Sequence, residues 1–271
     1  MHADQLLTVR SSRVKDARKL SRRSVRTVRR LFLADGPKAV EGALGTTLDG
    51  DVPCAVEVFA TPQATHQYVE LHDAAAVRGV PWTGVDDRAL AALSDSVTPA
   101  GLVAVCRFLD RPLEQVWSAG DLVTICADVR DPGNAGTVIR TADAAGASAV
   151  VLAGHSVDAY NAKTVRASVG SLFHLPIAMG SEPADVVGQA RAAGMTVLAA
   201  DGAGELDLFD ADATLRGPVA WLFGNEAWGL PADLATLADH RVRIPIAGRA
   251  ESLNLATAAA VCLFATARAR R

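Results

Sequence analysis

Residues 128–146 read DVRDPGNAGTVIRTADAAG, and the fold turns on what flanks them. The apolar run LVTICADV (122–129) leads in and ASAVVLAG (147–154) leads out. A strand, a turn rich in Gly, Pro and Asn, a helix TVIRTADAAG and a second strand make a βαβ unit. Such units are common in nucleotide-binding proteins. Here, though, the glycines miss the G-x-G-x-x-G spacing that lets a backbone cradle a pyrophosphate. Something else must account for Asn134, Gly136 and Arg140 at this turn.

Downstream, the alternation continues. An irregular stretch (155–180) precedes the helix PADVVGQARAAG (183–194) and the strand MTVLAAD (195–201). PVAWLFG (218–224) and HRVRIPI (240–246) read as two more strands, and a helix of roughly 252–270 closes the chain. Apolar runs without alternation imply a mostly parallel sheet covered on both faces. Upstream, LFLADG (31–36) reads as a strand, PKAVEGALG (37–45) as a helix and VPCAVEVFA (52–60) as a strand. A helix over 62–79, a helix DDRALAALSDS (86–96) and a strand GLVAVCRFL (101–109) complete a smaller α/β domain. RPLEQVWSAG (111–120) reads as a linker. The predicted organisation is therefore a domain over 1–110, a linker over 111–120 and a second domain over 121–271.

The 271 residues are half hydrophobic and about one-fifth charged, which suits two folded domains. The apolar run LATAAAVCLFATA (255–267) is too short to span a bilayer. The N-terminus shows no secretory pattern, and Cys54, Cys106, Cys126 and Cys262 have neither zinc-ligand nor redox spacing. Buried reduced thiols in a cytoplasmic protein are expected, and no metal is. Net charge is only −3, but its distribution is uneven. Residues 1–30 hold ten Lys and Arg against Asp4 and Asp16, a segment of +8 that leaves −11 for the rest. A basic stripe on an acidic chain is the electrostatic footprint of a polyanion partner.

Ligands of open α/β sheets bind beyond the carboxyl ends of the strands. Three polar, glycine-containing segments fall at such ends: DPGNAGTVIR (131–140), LFGNEAWGL (222–230) and IPIAGRAESLNLA (244–256). Singly, each has an ordinary explanation. Asn134 or Ser252 could cap a helix, Glu226 could be a loop carboxylate and Asn254 a surface residue. Three in one sheet point to a shared site.

Together, N-x-G-x-x-x-R at 134–140, G-N-E-x-x-G-L at 224–230 and I-P-I followed by S-L-N-L-A at 252–256 resemble the three motifs of the SpoU family of RNA ribose 2′-O-methyltransferases. RASVGSLFHLP (166–176) resembles that family's segment between motifs. KLSRRSVR followed by FLADG is similar, more loosely, to the entry of the ribosomal-protein-like RNA-binding domain that many members carry. The resemblance implies an α/β catalytic domain tied in a deep trefoil knot, with S-adenosyl-L-methionine held at the knot crossing by Gly224, Ile244, Ile246 and Leu253. It assigns Arg140 the leading catalytic role, with Asn134, Glu226, Ser252 and Asn254 around it. A guanidinium stays protonated in proteins, so Arg140 is expected to clamp a phosphate and stabilise an alkoxide rather than act as a base. RNA contacts are expected from Arg22, Arg23, Arg26 and Arg166, and a homodimer through the catalytic domains is implied. Ribosomal RNA is the expected substrate. The alternatives are transfer RNA, a non-catalytic RNA-binding protein of the same fold, and a dinucleotide enzyme, against which the missing phosphate fingerprint speaks.

Overall fold

The structure, a computed structural model, describes residues 6–271, so Asp4 of the basic segment lies outside it. The chain forms two compact units, Met1–Leu109 with Tyr160–His174, and Asp110–Ala159 with Leu175–Arg271.

The first unit opens with helices α1 (Ser12–Arg18) and α2 (Arg23–Arg29). Strand β1 (Leu31–Asp35) and helix α3 (Pro37–Gly45) follow as the sequence predicts, with Pro37 in the first turn. A short hairpin of β2 (Thr47–Leu48) and β3 (Val52–Pro53) precedes β4 (Ala55–Ala60). The single helix expected over 62–79 is two, α4 (Pro62–Gln67) and α5 (Val69–Val77), broken at Tyr68, whose φ −116°, ψ 48° is not helical. Strand β5 (Trp82–Gly84), helix α6 (Asp87–Leu93) and strand β6 (Leu102–Arg107) complete a sheet of order β1-β6-β4-β5. Only the β4–β5 pair in it is parallel.

Two sequence boundaries shift. The segment read as a linker carries α7 (Leu113–Trp117), whose Leu113 and Val116 are buried in the second unit's core, so the break falls before residue 110. Residues 160–174, read as an irregular part of the second domain, contain α9 (Ala162–Ser168) and pack in the first unit. The cause is aromatic. Tyr160 is almost fully buried, its ring 3.9 Å from that of Phe108 and 4.6 Å from that of Phe32, and its hydroxyl accepts the Leu109 N–H at 2.6 Å. Phe173 adds a fourth ring 6.0 Å from Phe32. Burying four such rings together outweighs sequence proximity to β7 and β8 described next.

The second unit is built on a seven-stranded, all-parallel sheet of order β11-β13-β10-β12-β7-β8-β9. Its strands are β7 (Leu122–Ala127), β8 (Ala149–Ala153), β9 (Ile177–Met179), β10 (Thr196–Ala200), β11 (Leu206–Asp207), β12 (Val219–Phe223) and β13 (His240–Arg243). Every residue of β7, β8 and β12 is buried, which is why these strands read as continuous apolar runs. Helices α8 (Pro132–Ala144), α10 (Pro183–Ala192), the short α11 (Asp212–Leu215) and α12 (Ala232–Ala235), and the terminal α13 (Leu255–Ala269) complete the unit. Trp221, fully buried at the sheet centre, donates its indole N–H to Thr266 Oγ1 of α13 at 2.9 Å. The Arg270 guanidinium donates to the carbonyls of Leu215, Gly217 and Asp121. The last helix is thus locked onto the sheet at both its middle and its end.

All four cysteines are buried free thiols. Burial pushes the Cys126 thiol up to about 12, with the Glu226 carboxylate adding to the effect, so it stays protonated and unreactive at neutral pH.

Candidate active site at three strand ends

The carboxyl ends of β13, β10 and β12, neighbours in the sheet, open into a cleft of about 340 Å³. Its lining comes from 200–202 after β10, 223–229 after β12 and 242–258 after β13. Gly224, Ile244, Ile246 and Leu253, expected as cofactor contacts, all line it, as do Glu226 and Ser252. Ile246 and Leu253 remain 39% and 37% exposed, so the cleft presents bare apolar walls.

The loop after β12 closes on itself. Asn225 and Gly229 exchange both backbone hydrogen bonds at 2.9 Å. A side chain on Gly224 would place its Cβ 2.3 Å from the Gly229 carbonyl carbon and 2.5 Å from the Leu230 nitrogen. The atoms that require a glycine here are thus the loop's own main chain. Asn225 is buried, donates to the Asp128 carbonyl at 2.7 Å and accepts the Ala227 N–H at 2.8 Å. It ties this loop to the end of β7.

The turn quoted at the outset is the first turn of α8, which begins five residues earlier than the sequence reading. Asp131 caps it by accepting the Asn134 N–H at 2.8 Å, and Pro132 follows. Asn134 thereby sits in the first turn, facing the β12 loop. Its Nδ2 donates to Glu226 Oε1 at 3.2 Å, and its Oδ1 accepts from Asn254 Nδ2 at 3.1 Å. Asn254, not Ser252, caps α13, its Oδ1 accepting the N–H groups of Ala256 and Thr257. Glu226 also accepts the backbone N–H groups of Arg130 and Asp131 at 3.1 and 2.9 Å. The three motifs therefore meet in one chain of side-chain hydrogen bonds, Asn254–Asn134–Glu226.

Three donors converge on Glu226, and an amide has one acceptor oxygen. Glu226→Gln must turn its own NH₂ toward at least one of them. It is expected to lower stability by about 1 kcal/mol, the low end for an unsatisfied donor because the site is open to water. Urea denaturation at neutral pH checks this.

Arg140 is not at this junction. It is exposed on α8 and outside the cleft lining. Of the cations expected to face RNA, Arg22 and Arg23 are exposed. Arg26 is a correction: it is 4% exposed, and its Nη1 donates to the carbonyls of Leu20 and Ser21 at 3.0 and 2.9 Å. Its guanidinium completes the turn before α2, so it is not displayed to a partner. Arg166 belongs to the first unit and pairs with Asp95 at 3.5 Å.

Asp201 and Gly202, at the end of β10, also line the cleft, and neither is among the residues the sequence singles out. The available signal was their position after MTVLAA, a strand end like the others. Two residues on, Gly204 is required by packing, since a Cβ there would lie 2.6 Å from the Arg241 carbonyl oxygen. Among the described residues, no group of three or more His, Cys, Asp or Glu is arranged to hold a metal, and no helix is long and apolar enough to cross a membrane.

Residues 121–264 match the model of the SpoU rRNA Methylase family, and residues 11–104 that of an MRM3-like substrate binding domain. The chain is 34% identical over 263 residues to the 23S rRNA (guanosine(2553)-2′-O)-methyltransferase RlmP of Bacillus subtilis, covering 96% of this chain and 98% of that one. It is 40% identical over 178 residues to the 23S rRNA (uridine(2479)-2′-O)-methyltransferase of Streptomyces viridochromogenes, covering 64% and 61%. Among solved structures, the AdoMet-bound rRNA methyltransferase from Sinorhizobium meliloti superposes with a TM-score of 0.82 at 36% identity, over 97% of this chain and 98% of that one.

Proposed function

This chain belongs to the SpoU rRNA methylase family, and from that premise we propose how it transfers a methyl group from S-adenosyl-L-methionine to a ribose 2′-hydroxyl of ribosomal RNA. The observation that carries the reading is the meeting of Asn134, Glu226 and Asn254 beside an apolar, glycine-edged cleft.

The cleft suits the cofactor. Its volume lies within the range of small-molecule sites, and its walls combine apolar side chains with the close-packed backbone around Gly224. Ile244, Ile246 and Leu253 would flank the adenine, with Gly224 and its loop offering main-chain groups. When bound, S-adenosyl-L-methionine supplies an electrophilic methyl group on a sulfonium. The protein's task is then alignment and charge stabilisation. Glu226, pinned by three donors, fixes the start of α8 against the β12 loop, and Asn134 and Asn254 hold the cleft's polar rim in register. Ser252, on the lining, shapes the approach to it. The Arg140 guanidinium grips the phosphate next to the acceptor ribose and stabilises the oxyanion that develops as the 2′-hydroxyl gives up its proton to solvent water. It is exposed on α8 and lies outside its own chain's cleft lining, and a homodimer through the catalytic units, which this reading includes, would bring it to the cleft of a second copy.

The same reading includes the knot. β13 lies between β11 and β10, while the helix after it returns to pack on α8 and β12; a tail threaded through a loop fits that order. The first unit serves as the RNA-capturing domain, in a protein working in the cytoplasm. Arg10, Lys15, Arg18, Arg22 and Arg23 are exposed there. Arg22→Ala and Arg23→Ala are each expected to flatten the dependence of log affinity on log salt by about 0.7–0.9 without changing stability. Arg26→Ala, which strips two carbonyls of a charged donor, is expected to cost about 2 kcal/mol of stability instead. Filter binding across a salt series, beside thermal melts of the three variants, separates the two behaviours.

Incubation with labelled S-adenosyl-L-methionine and separated bacterial RNA fractions tests the substrate class. Label is expected in ribosomal RNA. Label confined to transfer RNA would move the substrate assignment, and none in any fraction would remove the enzymatic one.

A further inference from the structure

The β12 loop carries a residue that the cleft does not use. Trp228 stands between Ala227 and Gly229, both lining the cleft, yet its own side chain is not part of that lining and is 57% exposed. Across from it, the Arg130 guanidinium carbon sits 5.7 Å from the indole centroid. The two come from different loops, one after β7 and one after β12. Each loop is held by Glu226 or its neighbours: Arg130 through its backbone N–H on the Glu226 carboxylate, Trp228 through the Asn225–Gly229 backbone pair that brackets it. A large aromatic ring is thus displayed on a braced loop, one face toward a cation, two residues along the chain from Glu226.

We propose that the Arg130–Trp228 pair is a stacking platform for a nucleobase of the RNA, seating the nucleotide at or next to the methyl-acceptor ribose. The proposal rests on the methyltransferase reading of the site. Single-stranded or splayed-out bases are recognised by stacking on aromatic rings and guanidinium planes. Every base has a π-face, so such a platform adds affinity and position but leaves base identity to other contacts. Arg130 contributes twice, by polarising one face of the ring and by offering charge to a phosphate. Trp228 accordingly holds the RNA in the ground and transition states alike and does not touch the reacting atoms.

The test measures steady-state methyl transfer to ribosomal RNA by the full chain, as wild type, Trp228→Phe and Trp228→Ala, with S-adenosyl-L-methionine affinity and oligomeric state measured on each. The expected result for Trp228→Ala is a KM for RNA raised on the order of ten- to a hundredfold, the scale of losing one base–aromatic stack. Its kcat, cofactor affinity and oligomeric state stay within about twofold of the parent's or unchanged, because a stacking loss acts on RNA binding alone. Trp228→Phe should recover most of the loss. An unchanged KM in an active Trp228→Ala enzyme overturns the platform and leaves the methyltransferase reading intact. A change of oligomeric state or a lost cofactor affinity also overturns it, assigning the ring to an interface or to the loop's fold. A parent protein that methylates no RNA overturns the reading on which the platform rests, and the platform with it.

Discussion

Arg140→Ala is expected to reduce methyl transfer by about a hundred- to a thousandfold while S-adenosyl-L-methionine still binds. The magnitude is that of removing a preorganised charge aimed at a developing oxyanion. The separation of effects follows from position. Arg140 is exposed on α8 and takes no part in lining the cleft, so its loss leaves the cofactor's surroundings unchanged. Arg140→Lys distinguishes two accounts of the residue. A lysine keeps the charge but presents a single ammonium in place of a planar fork. If the guanidinium acts as a bidentate clamp, Lys restores little; near-full activity in Arg140→Lys would show that charge alone suffices. Single-turnover rates, with cofactor affinity measured by calorimetry, decide the matter.

The second large effect is expected at Gly224. In Gly224→Ala, the new Cβ meets main-chain atoms of Gly229 and Leu230 at 2.3–2.5 Å, and backbone cannot step aside as a flexible side chain does. The loop must open, and the Asn225–Gly229 pair and the position of Glu226 depend on its staying shut. The cost is expected at about 1–3 kcal/mol, as for other overpacked sites. Cofactor affinity should fall with it, because Gly224, Asn225, Glu226, Ala227 and Gly229 form one wall of the cleft. Calorimetry at a temperature where the variant remains folded separates the loss of binding from a loss of fold. Cofactor affinity equal to the parent's would mean that the wall tolerates an open loop.

Much of this was readable in the sequence because the signals were local or periodic. Strands β7, β8 and β12 are buried on both faces, and their runs of Val, Leu, Ile and Ala leave no other reading. Helix α3 was bounded by its Pro and Gly to the residue. The failures occur where distant residues decide. Tyr160 and Phe173 look like parts of an irregular stretch until Phe32 and Phe108 supply the rings that bury them, and that pairing spans more than fifty positions. Arg26 reads as one more exposed cation in a basic run; only the turn at Leu20 and Ser21 reveals two carbonyls waiting for it. The segment 111–120 reads as a linker because Pro112 and Gly120 bracket it, whereas in the fold Leu113, Val116 and Trp117 pack in the second unit's core.

The site itself was legible as three motifs but not as one network. Motif spacing carries no information on which atom of Asn134 meets which atom of Glu226, nor that Asn254 both caps α13 and reaches Asn134. Those links arise because the carboxyl ends of adjacent parallel strands bring loops separated by about a hundred residues to one edge. The same arrangement explains why Asp201 and Gly202 were missed. Their segment holds no motif, and it enters the cleft only because β10 lies between β13 and β12.

The central claim is that the acceptor is a sugar oxygen, aligned beside the Asn134–Glu226–Asn254 junction. Alkaline hydrolysis of ribosomal RNA labelled by this protein tests it most directly, since strand cleavage by alkali requires a free 2′-hydroxyl. The account predicts that the label is recovered in an alkali-resistant dinucleotide from one position, and that Arg140→Ala gives about a hundredth of it or less in the same time. Label recovered on a base, in mononucleotides released by alkali, would contradict it.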